Sequence, residues 1–328
     1  MRSTCSLYID AGYLLAASAT RATGTSLRAG INVNYAQLIE ALISHAEDHS
    51  GLPLLRVHWY DSARNGVPDF QQERIGELPK VKLRLGRFGM DGQQKGVDLR
   101  IGLDLVAHAR NAASDVFFLL SGDDDLTEAV EEAQLHGVQV VLLAVPTTDG
   151  RPHGVSRHLI RAADLLDQID GKRIDDAVIK VEVPRLPEAP EVPVAPPAPT
   201  PKPGPTTTTT PRPGPPGRRP DLAAAPTATL AYTGSTGRAP QILPGYDPHD
   251  DEVDEKVIAE VVGRVLTSFR KSASPEDLAD LQRARPSIPR DIDKALLVDA
   301  SDVIGIYDLS EPVRYRLRSR FWEIWDES

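Results

Sequence analysis

The stretch Leu119-Leu120-Ser121-Gly122-Asp123-Asp124-Asp125-Leu126 constrains this chain more than any other. An apolar run from Val116 to Leu120 ends abruptly in three adjacent acids, and helical spacing follows at Leu126, Ala129, Val130, Ala133 and Leu135. A short continuous apolar run bounded in this way reads as a strand buried on both faces. Its carboxyl end empties into a carboxylate cluster, and a helix leaves from it. In open α/β sheets the carboxyl ends of the strands are where ligands bind. One acid is enough to cap the next helix, so three leave a surplus. Packed acids repel one another unless a cation sits among them, and hard oxygen donors suit magnesium or manganese.

Around this stretch, strand and helix signals alternate. Strands are predicted at Cys5–Ile9, 54–60, 80–88, 116–120, 138–145 and 165–169. Helices are predicted over 12–19, after an Asn34 cap, and over 70–77, 95–110, 126–136 and 156–163. The order implies an α/β fold with a mostly parallel sheet covered by helices on both faces. This first domain is expected to span residues 1–172.

The composition then changes. Between Pro184 and Pro244 lie 18 of the 28 prolines and the run Thr206–Thr210. Such a stretch cannot bury a core, so 181–246 is expected to be a disordered Pro/Thr-rich linker. From 247 to 328 four helical patterns return as a small C-terminal helical domain. The last of them crowds Arg314, Arg316, Arg318 and Arg320, which read as a solvated face paired with nearby acids. Trp322 and Trp325 are expected to pack in that domain's core. The net charge of −10 argues against a broadly basic nucleic-acid coat but leaves room for a local basic track. The single cysteine, Cys5, excludes an intrachain disulfide and fits a reducing compartment. No apolar run approaches the length of a membrane span, so a soluble, cytoplasmic protein is expected.

Two further acids belong with the opening cluster. Asp10 ends the first strand, and in a parallel sheet strand ends of one sense meet at one edge, so Asp10 and Asp123 converge. Asp98 lies in the first turns of its helix on the face of Ile101 and Leu105, aimed inward. An unpaired charge there is costly; a bound metal resolves the cost, and so does a buried Lys or Arg. Asp104 falls on a different face and is read as a structural contact beside the site. Carboxylates around one or two divalent ions equip a protein for phosphodiester hydrolysis. Lys80, Lys82 and Arg84 alternate with apolar residues on one strand face, Arg87 extends that line, and Lys95 stands three residues before Asp98. Lys95, Lys82, Arg84 and Arg87 are the candidate track for an RNA backbone; the bland alternative is a solvated edge strand. No histidine or cysteine group is read as having zinc spacing, and no phosphate-binding glycine loop is present.

Tyr8-Ile9-Asp10-Ala11-Gly12, Lys95-Gly96-Val97-Asp98, Ser121-Gly122-Asp123-Asp124-Asp125-Leu126 and Gly137-Val138-Gln139-Val140, in this order, resemble the NYN domain family. This family includes the LabA-like group and is related to PIN-domain nucleases. The resemblance covers about residues 4–170. It implies a PIN-like three-layer α/β/α sandwich and metal-dependent endoribonuclease chemistry. It makes Asp10, Asp98, Asp123 and Asp125 the metal-binding and catalytic acids with Mg2+ or Mn2+, and Asp124 the variable middle position. Ser121 and Asp124 are expected to support the acids. In one departure, many members carry asparagine three residues after the first aspartate, where this chain has Tyr13.

Three functions follow as expectations. The first is a metal-dependent endoribonuclease acting on single-stranded or structured cellular RNA. The alternative is a non-catalytic PIN-like module binding RNA or protein, with the C-terminal helices as a site for a protein partner. The third is a small-molecule phosphohydrolase; the absence of a D-x-D pattern at the first strand counts against it.

Overall fold

In the computed structural model, β1 (Cys5–Asp10) is apolar and buried along its whole length because it lies between two parallel neighbours. On one side it pairs with β3 (Leu54–Ala63), on the other with β6 (Val116–Leu120). The structure describes residues 3–63, 66–88, 94–181, 253–305 and 309–327. The chain runs through α1 (Ala11–Thr23), β2 (Ile31–Val33) and α2 (Tyr35–Ser50) to β3, then α3 (Phe70–Gly76) and β4 (Val81–Phe88). Next come β5 (Gln94–Lys95), α4 (Val97–Arg110), β6, α5 (Thr127–Leu135), β7 (Gln139–Ala144), α6 (Arg157–Ala162), β8 (Leu165–Gln168), α7 (Gly171–Ala177) and β9 (Val178–Lys180).

The main sheet has the order β5-β4-β3-β1-β6-β7-β8. Six of its strands are parallel, and β5 is antiparallel at the edge. Side-chain alternation divides its core in two. Leu7, Ile9, Trp59, Phe118 and Leu143 face α1 and α2. Tyr8, Tyr60, Phe117, Leu119 and Leu142 face α4 and α5. The result is the expected α/β/α sandwich. Four strands and helices were not foreseen in the sequence: the edge strand β5, the short β2 and β9, which form a separate antiparallel pair, and α7 between β8 and β9. The predicted linker, 181–246, lies outside the described residues apart from Val181.

The C-terminal segment forms four helices: α8 (Glu255–Ser272), α9 (Pro275–Ala284), α10 (Arg290–Ile304) and α11 (Glu311–Asp326). Their amphipathic faces enclose Ile258, Val262, Leu296, Leu317 and Phe321, with Trp322 and Trp325 packed half-buried against that core. The crowded arginines are paired: Arg314 with Glu311, Arg316 with Glu255, Arg318 with Asp293 and Arg320 with Glu323. The described parts of 1–184 and 247–328 belong to one compact unit. Leu27, from the loop after α1, is buried inside the C-terminal helical core.

Candidate metal centre

Asp10 closes β1, and its carboxylate caps α1 by accepting the Gly12 N–H at 2.7 Å. That contact requires glycine, because a Cβ at position 12 would stand 2.7 Å from Asp10 Oδ1. Ile9 is in register with Leu120, so the Asp10 strand end lies beside the turn that starts at Ser121. Ser121 is fully buried, and its hydroxyl accepts the Asp123 N–H at 3.2 Å. Asp123 in turn accepts the Asp125 N–H at 3.0 Å. Gly122 has no alternative: a Cβ there would run into the Gly154 carbonyl. Asp124 lines a cavity together with Asp10 and Asp123 and accepts a short hydrogen bond from Ser156, the cap of α6. It therefore ties the turn to α6.

Asp98 stands in the first turn of α4. Burial pushes its carboxyl up to about 6, and the charges of Asp10, Asp123 and Asp125 add to the rise. Four carboxylates thus act on one another at the carboxyl edge of the sheet. Asp10 is also raised by burial, against the pull of Lys294 and Arg28. Asp10, Asp98 and Asp123 line one cavity of about 990 Å3, whereas Asp125 is exposed beside it.

Two findings from known proteins bear on this arrangement. The sequence profile of the NYN domain matches residues 5–170. This chain belongs to the NYN domain family. The uncharacterized protein y4oD of Sinorhizobium fredii (strain NBRC 101917 / NGR234) is 44% identical over 79 residues, which are 24% of this chain and 37% of that protein. The chain therefore spans little more than a third of that relative. At the family level NYN domains are PIN-like and ribonuclease-like.

The remaining nominated residues of the NYN domain do not all gather at the acids. Asp104 does not join them: it accepts from the Tyr60 hydroxyl at 3.0 Å and pairs with Arg84 at 3.0 Å. Arg84 therefore spends its charge on α4, a consequence of β4 lying next to that helix. Lys82 is exposed two residues before it on the same strand. Arg87 and Lys95 are register partners across β4 and β5, directly ahead of the helix that carries Asp98. Lys80 precedes β4 and reaches Glu47 at 3.4 Å.

Tyr13 occupies the place of the family's asparagine without facing the acids through its hydroxyl. The phenol donates to the His153 carbonyl at 2.8 Å and accepts from the Val145 N–H at 3.3 Å. It fastens α1 to the loop after β7.

The reading that no histidines are spaced as ligands needs correction. His45 and His49, one turn apart on α2, both meet Asp167 of β8, at 2.7 and 2.9 Å. Their ligand atoms lie within 4.8 Å of one another, so the group could hold a metal ion. Two imidazoles and one carboxylate suit borderline ions such as zinc. His49 packs edge-on against Phe118, on the α2 face of the sheet. Asp10 shares the parity of Tyr8 and belongs to the α4 face. The histidine group is therefore separate from the four acids. The i,i+4 spacing of the two histidines was the available signal. Among the described residues, no helix is long and apolar enough to cross a membrane.

Proposed function

We propose that the chain is a metal-dependent endoribonuclease whose ion is Mg2+ or Mn2+. The observation that supports this reading is that Asp10, Asp98 and Asp123 line one cavity, with the charges of Asp10, Asp123 and Asp125 adding to the upward push that burial gives the Asp98 carboxyl. The donor set fits the ion. Four hard oxygens repel one another in its absence, and octahedral oxygen coordination is what magnesium and manganese accept. When bound, the ion supplies charge neutralisation at the phosphodiester and acidifies a water.

The chain's own residues do the rest. Ser121 and Asp124 hold the turn that presents Asp123 and Asp125. Asp10 is fixed by its bond to Gly12. Lys82, Arg87 and Lys95 form the proposed track for the RNA backbone, with Arg84 a weaker member because Asp104 engages it. The substrate is cellular RNA, single-stranded or structured, and the C-terminal helices are the proposed site for a protein partner. A cytoplasmic location fits a chain with one buried thiol.

A second reading, a non-catalytic RNA- or protein-binding module, is favoured by Tyr13, whose phenol is committed to the loop after β7. The experiment that separates them is cleavage of a generic single-stranded RNA by wild type and by an Asp123→Asn/Asp125→Asn variant, with manganese, with magnesium and with EDTA. Metal-dependent cutting lost in the variant supports the nuclease. No cutting by folded protein with any metal leaves the binding module.

A further inference from the structure

The cavity that holds the acids has a roof made by a different part of the chain. Helix α10 divides its sides. Ile292, Ala295, Leu296 and Ala300 enter the C-terminal core, whereas Lys294, Leu297, Val298, Ser301 and Asp302 line the cavity opposite Asp10, Asp98 and Asp123. Two ties hold the roof in place. The Ser26 N–H donates to Asp299 at 2.8 Å, and His153 Nε2 stands 3.4 Å from Asp302 Oδ2.

Lys294 is the α10 cation closest in effect to the acids. It interacts electrostatically with both Asp10 and Asp98, and also with Arg28 and Arg290. Its side chain remains solvent-accessible within the cavity. An exposed cation there is favoured by nearby negative charge. In the cation-free protein Asp10 and Asp98 supply that charge. A divalent cation on those acids cancels part of their negative charge and competes with the ammonium for it, which leaves Lys294 able to take another anion. In a cavity that already contains a phosphodiester-cleaving centre, a phosphate oxygen is the matching group.

We propose that helix α10 completes the active site, with Lys294 binding the backbone phosphate of a single-stranded RNA segment threaded between the roof and the acids. This rests on the nuclease reading above. The strand state follows from size. A cavity of about 990 Å3 is on the scale of pockets that enclose one small ligand, ~300–1,000 Å3. That volume matches one or two nucleotides and favours a single strand over a duplex.

The test uses the full chain and a short fluorescein-labelled RNA, as a single strand and as a blunt duplex. Binding is followed by anisotropy in EDTA and in calcium, and cleavage in manganese is measured separately. In calcium, Lys294→Gln is expected to weaken single-strand binding about tenfold and to reduce the salt slope by about one, and in EDTA, where Asp10 and Asp98 engage the ammonium, to weaken it much less. It should raise KM much more than it lowers kcat, while Lys294→Arg restores most of the loss. The duplex is expected to bind at least tenfold more weakly than the single strand. Thermal melting of each variant controls for folding. Unchanged binding by Lys294→Gln in calcium, with wild type shown to cut RNA, overturns the role of Lys294 and leaves the nuclease standing. Tighter binding or faster cutting by Lys294→Gln also overturns it, because the ammonium then obstructs the site. Equal binding of duplex and single strand overturns the threading. A wild type that neither binds nor cuts RNA with any metal removes the nuclease reading itself.

Discussion

The backbone N–H of Ser26 donates to the buried carboxylate of Asp299 at 2.8 Å, joining the loop after α1 to helix α10 across 273 residues. The other carboxylate oxygen of Asp299 has no hydrogen-bond partner among the described residues. The bond needs an acceptor there but not a charge. Asp299→Ala is therefore expected to cost about 1–3 kcal/mol by leaving a buried donor unsatisfied. Asp299→Asn keeps the carbonyl and should cost less than about 1 kcal/mol. Urea midpoints of the two variants check this, and equal losses would refute the assignment.

Leu27 belongs by sequence to the NYN domain and by burial to the C-terminal core. Leu27→Ala is expected to cost about 2–5 kcal/mol, as for other buried leucines. Its effect should appear in hydrogen exchange as faster opening of both α8 and the loop at 25–30. Faster exchange confined to the loop would mean that the two parts are not packed as one unit.

The acid group was legible because it depends on local pattern plus one topological rule. Asp10 ends one apolar strand and Asp123 lies in the turn just after another, and parallel neighbours bring such ends together. The same logic fails for short or nonlocal features. Strands β2 and β9 have three residues each, too few for any periodicity, and they pair only because the chain returns after the whole sandwich is built. His45 and His49 carry a helical spacing, but the carboxylate they both meet, Asp167, lies 122 residues from His45. The polar stripe of α10 is visible in the sequence, yet nothing in its spacing says that Lys294 faces Asp10. Arg84 and Asp104 were nominated separately, and only the adjacency of β4 and α4 makes them a pair.

His58 gives the fold an acid-sensitive point. It is buried, stacks on Tyr8 and lies 4.7 Å from the His108 ring. Burial, then the positive charge of His108 and Arg84, lowers its pKa to about 3. A histidine depressed in the folded state contributes stability above its unfolded pKa near 6.5 and loses it as pH falls through the folded value. The fold should thus lose up to about 5 kcal/mol between pH 6.5 and 3 from this group. His58→Phe keeps the stacked ring and removes the titration. Its urea midpoint should fall less steeply over that range than that of wild type, and parallel curves would refute the prediction.

Asp98→Asn separates the cost of the acid group from its use. At neutral pH in EDTA, Asp98 is an enclosed carboxylate held among Asp10, Asp123 and Asp125. Removing its charge relieves both desolvation and repulsion. After a discount for its partial exposure, the gain is about 1 kcal/mol, which raises Tm by about 2–4 °C for a chain of this size. In manganese the order reverses. Wild type gains stability because the ion binds the folded state, and the variant, one carboxylate short, gains less. The nuclease reading adds that the variant loses RNA cleavage by at least a hundredfold. A variant less stable than wild type in EDTA would mean that the acids are held by cations of the chain, Lys294 foremost, tightly enough to make their charges favourable. Full cleavage by a stabilised variant would instead remove Asp98 from the catalytic group.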